Sequence, residues 1–168
     1  MRVLMGHLTF DVRSVLTSNV RQAIMDLNKL TLKSQEALQG AQQISQAQQQ
    51  NVVDVLHLLY VLLGQAESIV PTIINKLEID NKKLKEKVFS EIEKIPKVTG
   101  APQFYLSSEM ANVLQEGFKQ AQNLGDEFIS TEHLFLALLV QESKLPNVLI
   151  GTLCILRHST AKFSIRLR

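Results

Sequence analysis

Residues 31–65 read TLKSQEALQGAQQISQAQQQNVVDVLHLLYVLLGQ, and residues 107–141 read SSEMANVLQEGFKQAQNLGDEFISTEHLFLALLVQ. The second stretch is the first written again at a constant offset of 76 residues, without a gap. Identical pairs include Leu38 with Leu114, Gln39 with Gln115, Gln46 with Gln122, His57 with His133, Leu58 with Leu134, Leu62 with Leu138, Leu63 with Leu139 and Gln65 with Gln141. Thr31 with Ser107, Val52 with Phe128, Val53 with Ile129 and Asp54 with Ser130 are near matches. Helical periodicity alone repeats apolar positions; it does not repeat polar ones. Two copies of one helical unit, each too small for a good core, are expected to pack about a pseudo-twofold axis into one all-α domain. Residues 31–65 should then superpose on 107–141, with no sheet in either span.

The helices can be placed from their caps and faces. The first starts at Thr31, whose hydroxyl can hold a free helix N–H, and its inner face is Ser34, Ala37, Leu38 and Ala41. The matching helix caps at Ser107 and turns Met110, Val113, Leu114, Gly117, Phe118 and Ala121 inward. The Gln-rich run of Gln42, Gln43, Gln46, Gln48, Gln49 and Gln50 reads as a helix end and a short loop, because the second copy has ordinary residues there and closes on Gly125, a helix-ending glycine. Asp54 and Ser130 cap the next helices, which are apolar nearly all round and therefore central. Pro71 and Pro146 sit near the start of third helices. Asp80 caps a fourth, with Leu84, Val88, Ile92 and Ile95 on one face and Pro96 ending it. Pro96 to Phe104 links the copies. The second copy should have a fourth helix by the same offset, but from Ile150 the pattern is lost, so the second repeat is expected to be incomplete.

Bulk properties exclude several classes of function. The chain has 168 residues, 45% of them apolar, which suits one domain with a real core. A net charge of +2, 5% aromatics and no Trp give no case for nucleic acid. The apolar runs around Leu58 to Leu63 and Leu134 to Val140 are too short to cross a bilayer. The single Cys154 forms no internal disulfide, fits a reducing compartment, and reads as a bystander thiol. There is no phosphate-binding loop, no nucleophile elbow and no zinc-protease motif, so neither ATP binding, catalysis nor a cofactor is expected. His57 and His133 could hold a metal across the twofold axis, but no third ligand repeats with them; each is expected to pack and hydrogen-bond at its own helix start. Asp126 and Glu132 stand where the first copy has Gln50 and Leu56, so two acids set the second copy apart near one helix start, where the helix dipole favours a carboxylate.

These residues also carry a resemblance. Met25 to Leu38 is similar to the opening of the ClpB family of bacterial disaggregases, and Gly125-Asp126-Glu127-Phe128-Ile129-Ser130-Thr131-Glu132-His133-Leu134 resembles the signature of its second Clp repeat. The likeness spans residues 25–149, with repeat one over about 27–95 and repeat two over about 104–149; residues 1–24 and the basic tail 150–168 lie outside it. It implies two four-helix repeats in one domain that recruits unfolded or aggregated polypeptide for an ATPase ring, with substrate engagement at Thr31, Asp126 and Glu132. The implied protein is a cytoplasmic chaperone; its hexamer belongs to the full-length family, and this chain alone is expected to be monomeric. The first 24 residues are expected to add little stability and to be upstream sequence, and the tail to be a shifted frame or truncated gene model. Two alternatives follow: an adaptor-docking domain of a ClpC- or ClpA-like unfoldase, or a non-functional truncated product. ClpC-type domains keep Thr-Glu-His in both repeats; here Thr131-Glu132-His133 keeps it, but Val55-Leu56-His57 departs, which favours the ClpB type.

Overall fold

A computed structural model describes residues 29–65, 68–99 and 104–141. Among them are six helices: α1 (Leu32–Ala47), α2 (Val55–Gly64), α3 (Ile69–Lys76), α4 (Asn81–Ile92), α5 (Ser108–Leu124) and α6 (Thr131–Val140). Expected caps hold four of these six starts directly, and Ser68, not expected as a cap, holds α3 by accepting from the Val70 N–H. Thr31 accepts from the Ser34 N–H, Asp54 from Leu56, Asp80 from Lys83 and Ser107 from Met110. At Ser130 the bond is reversed, with its own N–H donated to His133 Nδ1. Pro71 lies in the first turn of α3, where its missing N–H forfeits no helical bond.

The two nearly all-apolar helices form the centre. Leu58, Leu59 and Leu62 of α2 are fully enclosed, as are Leu134, Leu138 and Leu139 of α6 to within 1% exposure. Burying each such side chain is worth about 1.5–3 kcal/mol. Helix α1 presents Ser34, Ala37, Ala41 and Ser45, all small and buried, so it can lie close on α2. On the second copy Gly117 of α5 does the same: a Cβ there would stand 3.2 Å from Leu134 Cδ2. The packing is reciprocal, with α1 touching α6 and α5 touching α2, while α2 meets α6.

One expectation is corrected. Val52–Val53 is a short strand, β1, inside the first span, pairing in parallel with β2 (Tyr105–Leu106) in the register Val52↔Tyr105 and Val53↔Leu106. A parallel bridge joins Leu30 to Ile129. These are the same contact twice, because Leu106 is the repeat partner of Leu30 and Ile129 that of Val53. Ser107 N–H donates to Val53 O at 3.1 Å, and Thr31 N–H to Ile129 O at 3.0 Å. The strand therefore adds to the pseudo-twofold relation, with the lead-in of each repeat paired to the middle of the other. A second correction concerns α4, which ends at Ile92, with turns carrying the chain through Ile95 before Pro96. Residues 1–24, Pro146 with its expected third helix, Cys154 and the tail 150–168 lie outside the described residues. No single helix among the described residues is long and apolar enough to cross a membrane.

Candidate functional site

The site forms around the Leu30–Ile129 bridge. Ile129 N–H donates to Lys29 O at 2.7 Å, and Ser34 Oγ donates to Ile129 O at 2.9 Å, buried. Thr31 is thus fixed beside Ile129 through its backbone, while its Oγ1 is occupied with the Ser34 hydroxyl at 2.9 Å and the Ser34 N–H. Three residues before Ile129 stands Asp126, exposed, and three after it Glu132, half-buried in the first turn of α6. The bridge thus brings the segment that holds Thr31 beside the one that holds Asp126 and Glu132. Leu32, 71% exposed, and Phe128, 50% exposed, flank the same bridge. Their repeat partners are Ser108 and the half-buried Val52, and the large exposed apolar residue of the opposite edge is instead Tyr105, 47% exposed and paired with Val52.

Each repeat sets its histidine in the same way. The α5 helix closes through Gly125 in the left-handed region, φ 78°, after which Asp126 N–H donates to Ala121 O at 2.9 Å. In the first copy Gln49 takes φ 59°, and Gln50 N–H donates to Ser45 O at 2.9 Å. The side chains that follow reach the buried histidines. Gln50 Oε1 lies 2.7 Å from His57 Nε2, and Asp126 Oδ2 lies 3.1 Å from His133 Nε2. In both copies the ring Nδ1 accepts a cap N–H, from Asp54 at 2.9 Å and from Ser130 at 3.0 Å. That places the proton of each neutral ring on Nε2, facing Gln50 or Asp126. Burial pushes the His57 pKa below its usual 6.5, outweighing the opposite pull of Asp54.

Position 126 thus has a role in the repeat itself, beyond the exchange of Gln50 for Asp126 that the sequence shows. Both copies use this position to reach the histidine, and they differ in what the side chain does next. Gln50 is buried and its amide donates to Ile92 O at 2.7 Å and Ile95 O at 3.3 Å. Asp126 has only acceptors and its side chain is 57% exposed. The buried His133 Nε2 lies 3.1 Å from it without forming a hydrogen bond. Glu132 differs in another way: its counterpart Leu56 is buried in the core. Leu32 and Phe128 were not singled out from sequence, and His133 was weighed there only as a metal ligand paired with His57. The repeated histidine opposite a changed partner, and two large apolar residues off the inner faces, were the signals that could have found them. Among the described residues no cluster of three or more His, Cys, Asp or Glu could hold a metal.

Residues 29–150 match the family described as the Clp repeat (R) N-terminal domain. The chaperone protein ClpB of Bacteroides thetaiotaomicron is 36% identical over 125 residues, covering 74% of this chain and 14% of that protein. ClpB of Bacillus anthracis is 37% identical over 117 residues, covering 67% and 14%. This chain therefore spans about one seventh of the length of these relatives. Among solved structures, the N-domain of ClpV from Vibrio cholerae has a similar fold, with a TM-score of 0.74 at 21% identity over 96% of this chain and 93% of that one. A ClpV N-domain solved in complex with VipB peptide gives a TM-score of 0.68 at 25% identity, covering 77% of this chain and 79% of that one. The Hsp104 N-terminal domain from Candida albicans gives 0.68 at 19%, covering 83% and 91%.

Proposed function

Because this chain belongs to the family of Clp repeat N-terminal domains, we propose that it recruits unfolded or aggregated polypeptide as the N-terminal domain of a ClpB-like disaggregase. The ATPase modules, hexamer and cytoplasmic setting of that activity belong to the proposed parent protein. The observation that supports the reading is the pair of exposed apolar residues, Leu32 and Phe128, next to the Leu30–Ile129 bridge, with Thr31, Asp126 and Glu132 each within three residues of that bridge in sequence. Apolar side chains would supply most of the contact energy there, and the carboxylates would orient peptide N–H groups or basic side chains. Binding should be weak, because an unfolded segment loses entropy on ordering and must be released again for threading. The role of Thr31 is positional, since its hydroxyl is already held by Ser34.

The test is a titration of an unfolded model protein into the domain, followed by NMR or fluorescence. Asp126→Ala and Glu132→Ala should weaken binding while leaving the melting temperature nearly unchanged. Parental affinity in both variants would mean that the acids are only a solvated helix start. A second reading, docking of a specific adaptor, draws support from the peptide-bound ClpV relative. Saturable binding of one folded adaptor, with indifference to unfolded chains, would favour it.

A further inference from the structure

His57, Gln50 and the end of α4 form a chain of hydrogen bonds that works in one direction only. Asp54 N–H donates to the ring Nδ1, so the single ring proton is on Nε2 and is donated to Gln50 Oε1 at 2.7 Å. That fixes the amide. Its NH2 group faces the other way and donates to Ile92 O at 2.7 Å and Ile95 O at 3.3 Å. The neighbouring Gln49 O accepts from the Val98 N–H at 2.8 Å. His57 and Gln50 are both fully buried. Two buried side chains thus tie the end of α4, and the start of the link between the repeats, to the turn before α2.

A second ring proton has no acceptor in this arrangement. On Nδ1 it would point at the Asp54 N–H, donor against donor, 2.9 Å away. Gln50 carries no charge to balance an imidazolium. The carboxylate that acts on the ring is Asp54, which also caps the Leu56 N–H at 3.1 Å, and burial outweighs its pull. The surrounding elements bring no better anion among the described residues. Helix α1 has no charged residue from Ala37 to Ala47, and β2 has only the exposed Tyr105 to titrate. At the end of α4, Glu91 is paired with Lys94 at 2.6 Å, while Glu93 and Lys97 are exposed. Glu109, in the first turn of α5, accepts from the Ser108 hydroxyl. The ring takes a second proton only by leaving its place, and Gln50 then loses the donor that orients it.

We propose that His57 is an acid-sensitive latch on the link between the repeats: protonation expels the ring, frees Gln50 and lets the stretch from Ile92 to Val98 come off the turn before α2 while the core stays folded. The core can stay because Leu84 and Val88 hold the body of α4 by burial and take no part in the chain of hydrogen bonds. His133 does not work this way, since the side chain beside its Nε2 is the carboxylate of Asp126, which can balance a proton where an amide cannot. The latch stands apart from polypeptide binding.

The experiment follows amide hydrogen exchange in the full chain by NMR between about pH 7.5 and 5.5, corrected for the intrinsic effect of pH on exchange. Protection at Ile95 and Val98 should fall about tenfold over that range, because a freed ring binds its proton near 6.5. Protection at Leu62 and Leu138 should stay level, and the His57 ring signals should titrate in step with the loss at Val98. His57→Gln should flatten the loss, and His133→Gln should leave it unchanged. Level protection at Val98 overturns the inference. An equal fall at Leu62 and Leu138 overturns it too, since the ring then answers only to unfolding of the whole domain. So does a fall at Val98 that persists in His57→Gln. Should that variant not fold, the comparison of Val98 with Leu62 in the parent protein decides alone.

Discussion

The histidine site of repeat one and that of repeat two share a backbone and differ in fate. The first is sealed: His57, Gln50 and the carbonyls at the end of α4 form a closed polar chain inside the protein. The second stops at an exposed carboxylate. Duplication supplied one geometry, and a single exchange of amide for acid decides whether it serves the interior or the surface. A buried amide can accept on one side and donate on the other, so it bridges two partners. A carboxylate can only accept, so it leaves its second face to whatever donor arrives.

The comparison is sharpest if the cores behave alike while the rims do not. Leu62→Ala and Leu138→Ala, at equivalent buried positions, should each cost about 2–5 kcal/mol and agree with one another. Urea denaturation measures both; a large inequality would mean that the repeats do not share the core equally. Next in size is Gln50→Ala, which strands His57 Nε2 and the carbonyl of Ile92, at a cost of about 3 kcal/mol. Asp126→Ala should stay within about 1 kcal/mol, since that side chain is largely in water. Equal losses at the two positions would break the contrast of sealed and open sites.

Repeat one also contributes a pH dependence. The folded protein keeps His57 neutral at pH values where the unfolded chain, with its ordinary value near 6.5, binds a proton. Its contribution to stability is therefore complete above that value and is lost as the pH falls below it, by at most about 1.4 kcal/mol per pH unit. Urea midpoints between pH 7.5 and 5.5 for the parent and for His57→Gln isolate it; parallel curves would show that burial does not hold the ring neutral. The smallest effect is at the turns. Gln49 and Gly125 both sit at positive φ, but only glycine does so without strain from a Cβ. Gln49→Gly should raise stability by about 0.5–1 kcal/mol and Gly125→Ala should lower it by a similar amount, read from thermal melts.

Much of the architecture was legible because caps and helical faces are local properties. Thr31, Asp54, Asp80 and Ser107 could be read from residue type and the apolar run that follows, and the constant offset supplied the symmetry. The strand at Val52–Val53 was not legible. Two residues give no alternation, and their partners stand more than 50 positions further on. Nor was the burial of Gln50, one glutamine in a run of them; only its contacts with His57 and the end of α4 set it apart. For the candidate site, the offset exposed Asp126 and Glu132 as departures from the first copy, while their grouping with Thr31 came from family resemblance. The bond from Thr31 N–H to Ile129 O joins their two segments, but it spans 98 residues of sequence, where no periodicity reaches.

The paired lead-ins bear on what half of this chain would be. Leu30 needs Ile129, and Leu106 needs Val53, so neither repeat completes its own edge. An isolated repeat carries one donor segment and one acceptor segment that cannot meet each other but can each meet the same parts of a second molecule. Such a half has the pairing that a C2 homodimer closed by two identical exchanges would use. The present chain makes both exchanges within a single thread, the lead-in of the second repeat following the stretch after α4.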